Sequence, residues 1–299
     1  MNIPIFVISD LHIGSGGTTD SFSQNKRSVY FDNFLDYVEK EGGELIIIGD
    51  FIDLWRFALK KVIKARRELL DRLAEMNVCC VPGNHDQALA RFINSPDVPH
   101  RFFRKIKEPF VRTIGDKKFT FFHGHELDPM NQKLTTGVGR VLGLSSSLVE
   151  YAVGYPVFSS DVIEEALLNI EEKLFLFRLN VAGLLTNFAG SGCSAILQNG
   201  QALPRQKRTE KLLLKYELKK QIDGNDITVS AHTHQPCRFQ NWYFNSGSWT
   251  GRNSNFIRIL PDGRADIFDW EKDTPIYNDV VADIPRLTSK FKTGYAAIN

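Results

Sequence analysis

Five short apolar runs in this chain each stop at side chains that can bind a metal or move a proton. Residues 3–8 stop at Ser9-Asp10 and 45–48 at Gly49-Asp50. Residues 78–81 stop at Pro82-Gly83-Asn84-His85, and 119–122 at His123-Gly124-His125. Residues 227–229 lead into Ala231-His232-Thr233-His234. β-branched and aromatic residues bounded by turn signals predict strands. Residues 29–41 and 62–76 carry apolar side chains at helical spacing. Strands alternating with helices predict an α/β sheet, and ligands in such sheets gather beyond the carboxyl ends of the strands. The Asp, Asn and His clusters stand at those ends.

Composition narrows the setting. A chain of 299 residues that is 42% hydrophobic suits one large domain, or a domain with a substantial insertion. A net charge of +2 does not call for a nucleic-acid partner. Cys79 and Cys80 are adjacent, Cys193 and Cys237 are isolated, and no C-x-x-C occurs. Neither a disulfide framework nor a zinc ribbon is indicated, and reduced thiols are expected. The start, MNIPIFVISD, lacks a basic segment followed by a long apolar core. The longest apolar stretch, 138–158, is interrupted by Arg140, Glu150 and three serines, which argues against a membrane span. The expected location is cytoplasmic, with a contact at the inner face of the membrane left open.

Between about 127 and 224 the strand signals cease. Segments 160–188 and 207–222 carry helix-like apolar spacing, which predicts a helical insertion between two site-bearing strands. The expected division is a first core part at 1–126, a helical cap at 127–224, a second core part at 225–275 and a tail at 276–299. Residues 242–248 and 255–269 return to strand composition, with Pro261-Asp262-Gly263 as a hairpin turn. The insertion offers two surfaces. Its apolar spacing packs a helical cap or lines a groove for acyl chains. Residues 205–220 carry seven Lys or Arg against Glu210 and Glu217, as a solvated helix face or as a contact for anionic lipid or a nucleotide phosphate.

The clusters suit a particular chemistry. Asp10 and His12 lie two residues apart and can grip one ion if the loop turns inward. Asp50 follows a glycine, where backbone can approach closely. Asn84 adds an amide oxygen, and His123, His232 and His234 add imidazole nitrogens. Seven oxygen and nitrogen ligands with no thiolate suit Mn²⁺, Fe or Zn²⁺. They exceed what one catalytic ion with an open position needs, and two ions sharing a carboxylate would use them well. Asp50, central in the series, is the candidate bridge.

The ordered set SDLHIG (9–14), GDFID (49–53), GNHD (83–86), HGHELD (123–128) and AHTHQP (231–236) resembles the calcineurin-like metallophosphoesterase superfamily. The resemblance implies a β-sandwich flanked by helices (αββα), with two divalent ions, Mn²⁺ foremost, at the strand ends. It implies hydrolysis of a phosphate ester or anhydride. By motif position Asp10, His12, His234 and Asp50 would hold one metal, and Asn84, His123, His232 and Asp50 the other. His85 would contact the phosphate or protonate the leaving oxygen, with Asp53 orienting its ring. Asp86 is read as a turn-closing residue. Within the superfamily GDFIDLW (49–55), including Trp55, and FNSGSW (244–249) are similar to the bacterial UDP-2,3-diacylglucosamine pyrophosphatase group of lipid A synthesis. That group usually has Arg where His85 stands, and commonly Asp where this chain has His125. Trp55 and His125 are candidate substrate contacts. The expected partner is a small phosphate ester or nucleotide-linked lipid. A phosphodiesterase or nuclease acting on nucleotides is the alternative, with nucleic acid disfavoured by the charge, and a non-catalytic scaffold is the remote one. No oligomeric state is implied.

Overall fold

The computed structural model describes residues 3–24, 26–127, 227–239, 241–251 and 253–278. The fold is a mixed α/β sandwich of two sheets. The first sheet contains β1 (Ile5–Ile8), β2 (Glu44–Ile48), β3 (Cys79–Val81), β9 (Asn255–Ile259), β10 (Ala265–Glu271) and β11 (Thr274–Tyr277). Their order is β11-β10-β9-β1-β2-β3. The second contains β4 (Phe110–Ile114), β5 (Lys117–Phe121), β6 (Ile227–Ser230), β7 (Pro236–Phe239) and β8 (Tyr243–Ser246), in the order β4-β5-β6-β8-β7. β1, β2 and β3 run parallel, as do β5, β6 and β8. The five strands predicted from the apolar runs are therefore all present, and their carboxyl ends point the same way within each parallel set.

The runs lack polar alternation because the strands are covered on both faces. Successive residues of a strand point to opposite faces. Ile5 and Val7 with Ile46 and Ile48 join Phe119, Phe121, Val229 and Ile257 between the sheets. Phe6 and Ile8 with Leu45 and Ile47 join a second cluster on the outer face of the first sheet. The helices α1 (Arg27–Lys40), α2 (Leu59–Ala65) and α3 (Arg67–Glu75) bury Phe31, Phe34, Leu35, Val38, Val62, Leu70 and Leu73 in that cluster. Phe34 is its hub, with ring centroids 5.0 Å from Trp249, 5.1 Å from Phe256 and 5.6 Å from Trp270.

The single helix predicted over 62–76 is two helices. The chain breaks at Arg66, with φ −116° and ψ 27°, where its guanidinium donates to the buried Asp20 carboxylate at 2.6 Å and to the Gly14 carbonyl at 3.1 Å. β4 and β7 add to the strands read from the sequence. β4 has an alternating burial pattern with Val111 exposed, and β7 begins at a proline. The turn at 261–263 closes the β9–β10 hairpin, where Gly263 has φ 78° and donates to the Leu260 carbonyl. Beyond it, Lys272 and Asp273, at φ 49° and 62°, make the tight turn into β11, as two-residue hairpins require. Apart from a short turn at His125–Leu127, the insertion expected over 127–224 lies outside the described residues. So does the tail after Asn278. Among the described residues no helix is long and apolar enough to cross a membrane.

Candidate metal centre

The seven residues expected as ligands all lie where the parallel strands end, and the two sheets meet there. The loop after β1 is laced to the loop after β2, since the amides of Asp10, His12 and Ile13 donate to the carbonyls of Gly49, Asp50 and Phe51 at 2.9–3.0 Å. The first sheet is tied to the second by the His123 Nδ1–H bond to the Ile48 carbonyl, 2.9 Å, and by Ser9 Oγ to Ser246 Oγ, 2.7 Å. The loops after β1, β2 and β6 leave their strands sharply. Asp10, His12, Asp50, His232 and His234 have φ of 52°, 48°, 50°, 70° and 56°, a left-handed conformation that costs a side-chain-bearing residue energy and collects at functional sites.

Glycine makes the close packing possible. A Cβ on Gly49 would collide with the His123 ring, and one on Gly83 would collide with the Asp50 carboxylate. Asp86 builds the GNHD turn. Its Oδ1 accepts from the Gly83 amide at 2.7 Å, and its Oδ2 accepts from Phe51 and Ile52 at 2.9 and 3.1 Å. Burial and the neighbouring Asp50 push its carboxyl up to about 7.

Two sets of donors converge. In the first, His234 Nε2 lies 2.9 Å from Asp10 Oδ1, and ligand atoms of Asp10, His12 and His234 all lie within 4.8 Å of one another. In the second, His123 Nε2 lies 3.1 Å from Asn84 Oδ1 and 3.3 Å from Asp50 Oδ2. Asp50 Oδ2 is also 3.9 Å from His12 Nε2, so one oxygen faces both sets. The His232 ring is buried and centred 5.3 Å from His123. His125 stands at the rim, half-buried and 5.4 Å from His123 between ring centroids, and burial pushes it down to about 4.

These donors fit divalent cations. With His123 Nδ1–H donating to a carbonyl, a neutral ring turns its Nε2 lone pair toward two oxygens that also only accept. Such an arrangement needs a positive charge between the groups. Burial lowers the His123 imidazole, yet Asp50 and Asp10 outweigh it and hold it up at about 10; a proton on Nε2 is one way to supply that positive charge and a metal ion is the other. Among the described residues, both ring nitrogens of His12 and Asp10 Oδ2 are buried with no hydrogen-bond partner, which is costly for groups that no cation satisfies. All donors are oxygen or nitrogen, suiting a hard or borderline ion.

His85 sits beside this centre. Its amide donates to Asp50 Oδ1 at 2.8 Å, its Nδ1 is 3.2 Å from Asp53 Oδ1, and Trp55 lies against its ring. Burial pushes the Asp53 carboxyl up, but the bond and charge of His85 outweigh that and hold it below the usual range.

One supporting residue was not read from the sequence. Asn245 is fully buried, donates to the Ala231 carbonyl at 2.8 Å and to Thr233 Oγ1 at 3.2 Å, and accepts from the Gly247 amide at 3.0 Å. It thereby holds the loop bearing His232 and His234. Its only sequence signal was its place in FNSGSW.

Comparison with known proteins agrees with this geometry. The sequence profile described as calcineurin-like phosphoesterase matches residues 3–267. No match is found among curated proteins. Among solved structures, a conserved uncharacterized protein of Streptococcus pneumoniae TIGR4, itself a predicted phosphoesterase, matches 93% of this chain and 94% of its own, at 14% identity and TM-score 0.38. That likeness is too distant to carry an argument.

Proposed function

From the premise that this chain belongs to the calcineurin-like phosphoesterase family, and is therefore a metal-dependent phosphoester hydrolase, we propose that it cleaves a phosphodiester or pyrophosphate bond at the centre described above. Asp10, His12, His234 and Asp50 would hold one divalent cation, and Asn84, His123, His232 and Asp50 the other. Bound there, two ions polarise the phosphoryl group and lower the pKa of water. The observation that carries this reading is the single oxygen, Asp50 Oδ2, lying 3.3 Å from His123 Nε2 and 3.9 Å from His12 Nε2.

The remaining work falls to His85. Its Nδ1 is engaged by Asp53 at 3.2 Å, so Nε2 is the nitrogen that meets a phosphate or gives a proton to the leaving oxygen. A carboxylate-held histidine is suited to that task near neutral pH. Asp86 keeps a turn role, supported by its three backbone bonds. His125, half-buried at the rim, would contact the substrate.

For the substrate we favour a nucleotide-linked lipid of the UDP-2,3-diacylglucosamine type, with Mn²⁺ as metal. GDFIDLW and FNSGSW support it. His85 in place of arginine favours a nucleotide diester, which stands as the second reading. Asp50→Asn is expected to abolish Mn²⁺-dependent hydrolysis of bis-p-nitrophenyl phosphate; unchanged activity, or activity surviving thorough chelation, would sink the two-metal reading. A product-release screen of UDP-diacylglucosamine against nucleotide diesters decides the substrate, and a lack of preference for the lipid rejects it.

A further inference from the structure

We propose that Trp55 is a positioning residue for His85, fixing the plane of the imidazole so that Nε2 meets the leaving oxygen edge-on. The proposal rests on the reading of His85 as proton donor. The hydrogen bond from Nδ1 to Asp53 sets one edge of the ring, while the ring face is set by rotation about the Cβ–Cγ bond. A flat group against the ring face restricts that rotation. The indole of Trp55 supplies it, with centroids 3.7 Å apart and planes at 22°. The His12 ring closes in at 4.5 Å and 88°, so among the described residues a stacked and a perpendicular ring both border the imidazole.

Both clamps are built on one piece of backbone. Asp53 and Trp55 lie in a tight turn in which Arg56 and Phe57 donate to the Asp53 carbonyl at 3.3 and 3.0 Å. The Asp53 amide donates to Ile13 at 3.2 Å, anchoring that turn to the loop that carries Asp10 and His12. Trp55 is only 6% exposed, and this sets it apart from a side chain that greets substrate across an open surface. Its Nε1 is buried and has no hydrogen-bond partner among the described residues. The indole is thus placed by its face and not by its donor, and a phenyl ring could take over the task.

The test is a double-mutant cycle, because a residue that acts through His85 has nothing to act through once His85 is gone. Phenyl and p-nitrophenyl esters of thymidine 5′-monophosphate are compared with Mn²⁺; the phenolate leaves poorly without a proton and the nitrophenolate leaves readily. Trp55→Leu is expected to lower kcat on the phenyl ester about tenfold more than on the nitrophenyl ester, a selective loss within the range of proton-transfer effects. KM and bound Mn²⁺ stay unchanged, and Trp55→Phe restores most of the rate. In a His85→Ala background Trp55→Leu costs nothing further. Equal losses on both esters, or a loss that persists without His85, would overturn the proposal and leave Trp55 as packing. If the unmodified enzyme cleaves neither ester, the phosphoesterase reading itself fails. Should Trp55→Leu not fold, the stack is read directly. His85→Ala then changes tryptophan fluorescence, and the change vanishes when both proteins carry Trp55→Phe; no change between the first pair overturns the stack.

Discussion

At Gly83 the absence of a side chain lets the GNHD turn lie against Asp50. Alanine there would drive a methyl into the Asp50 carboxylate and its backbone amide. Overpacking of this kind costs about 1–3 kcal/mol, and it would also displace Asp50 Oδ1 from the His85 amide it accepts. Gly83→Ala is therefore expected to unfold at lower urea and to need more Mn²⁺ for half-maximal activity; wild-type Mn²⁺ dependence would contradict the tight fit. Residue types made the donors legible in the sequence, because Asp, Asn and His at successive strand ends have few common uses. Which donors would share an ion came only from the family resemblance, by motif position, and not from composition or spacing. The grouping depends on the left-handed backbone at Asp10, His12, Asp50, His232 and His234, and those residue types, unlike glycine, do not announce such a φ.

At the scale of elements, the burial of both faces gave β1, β2 and β3 their unbroken apolar runs, and that is why they could be read. β4 was hidden because it lies at the edge of its sheet with Val111 exposed. β7 was hidden because its first residue is a proline, a residue confined to edges and strand starts. The break between α2 and α3 is a tertiary effect, since it follows from Arg66 reaching Asp20 across 46 positions, which no local pattern carries. α1 is held by its aromatic face. Phe34→Ala removes the ring that meets Trp249, Phe256 and Trp270, and loss of a buried phenylalanine costs about 3–5 kcal/mol. Equilibrium unfolding should show that loss while the Mn²⁺ stoichiometry of the folded fraction stays at the wild-type value. A change in stoichiometry would mean that α1 reaches the centre.

For the molecule as a whole, the centre joins two sheets that meet across an apolar interface, with Arg112 of β4 paired to Glu44 of β2 at 2.7 Å. Buried carboxylates at one point are expensive unless charge compensates them, so cations should hold the sheets together. A ligand that binds only the folded state adds about 2.7 kcal/mol at a hundred times its dissociation constant. Mn²⁺ is therefore expected to raise the melting temperature of the intact protein, and Asp50→Asn should lose most of that rise. An equal rise in both would place the bound Mn²⁺ elsewhere. The topology has a further consequence for synthesis. β1 is flanked by β2 on one side and by β9, more than two hundred residues later, on the other. Until the ribosome has delivered β9, the nascent chain carries a wholly apolar strand, β1, with a bare hydrogen-bonding edge, which is a template for aggregation. His232 and His234 also arrive late, just ahead of β9. Translation thus covers the sticky edge and completes the ion's pocket almost together, and a prematurely released fragment would be left with neither.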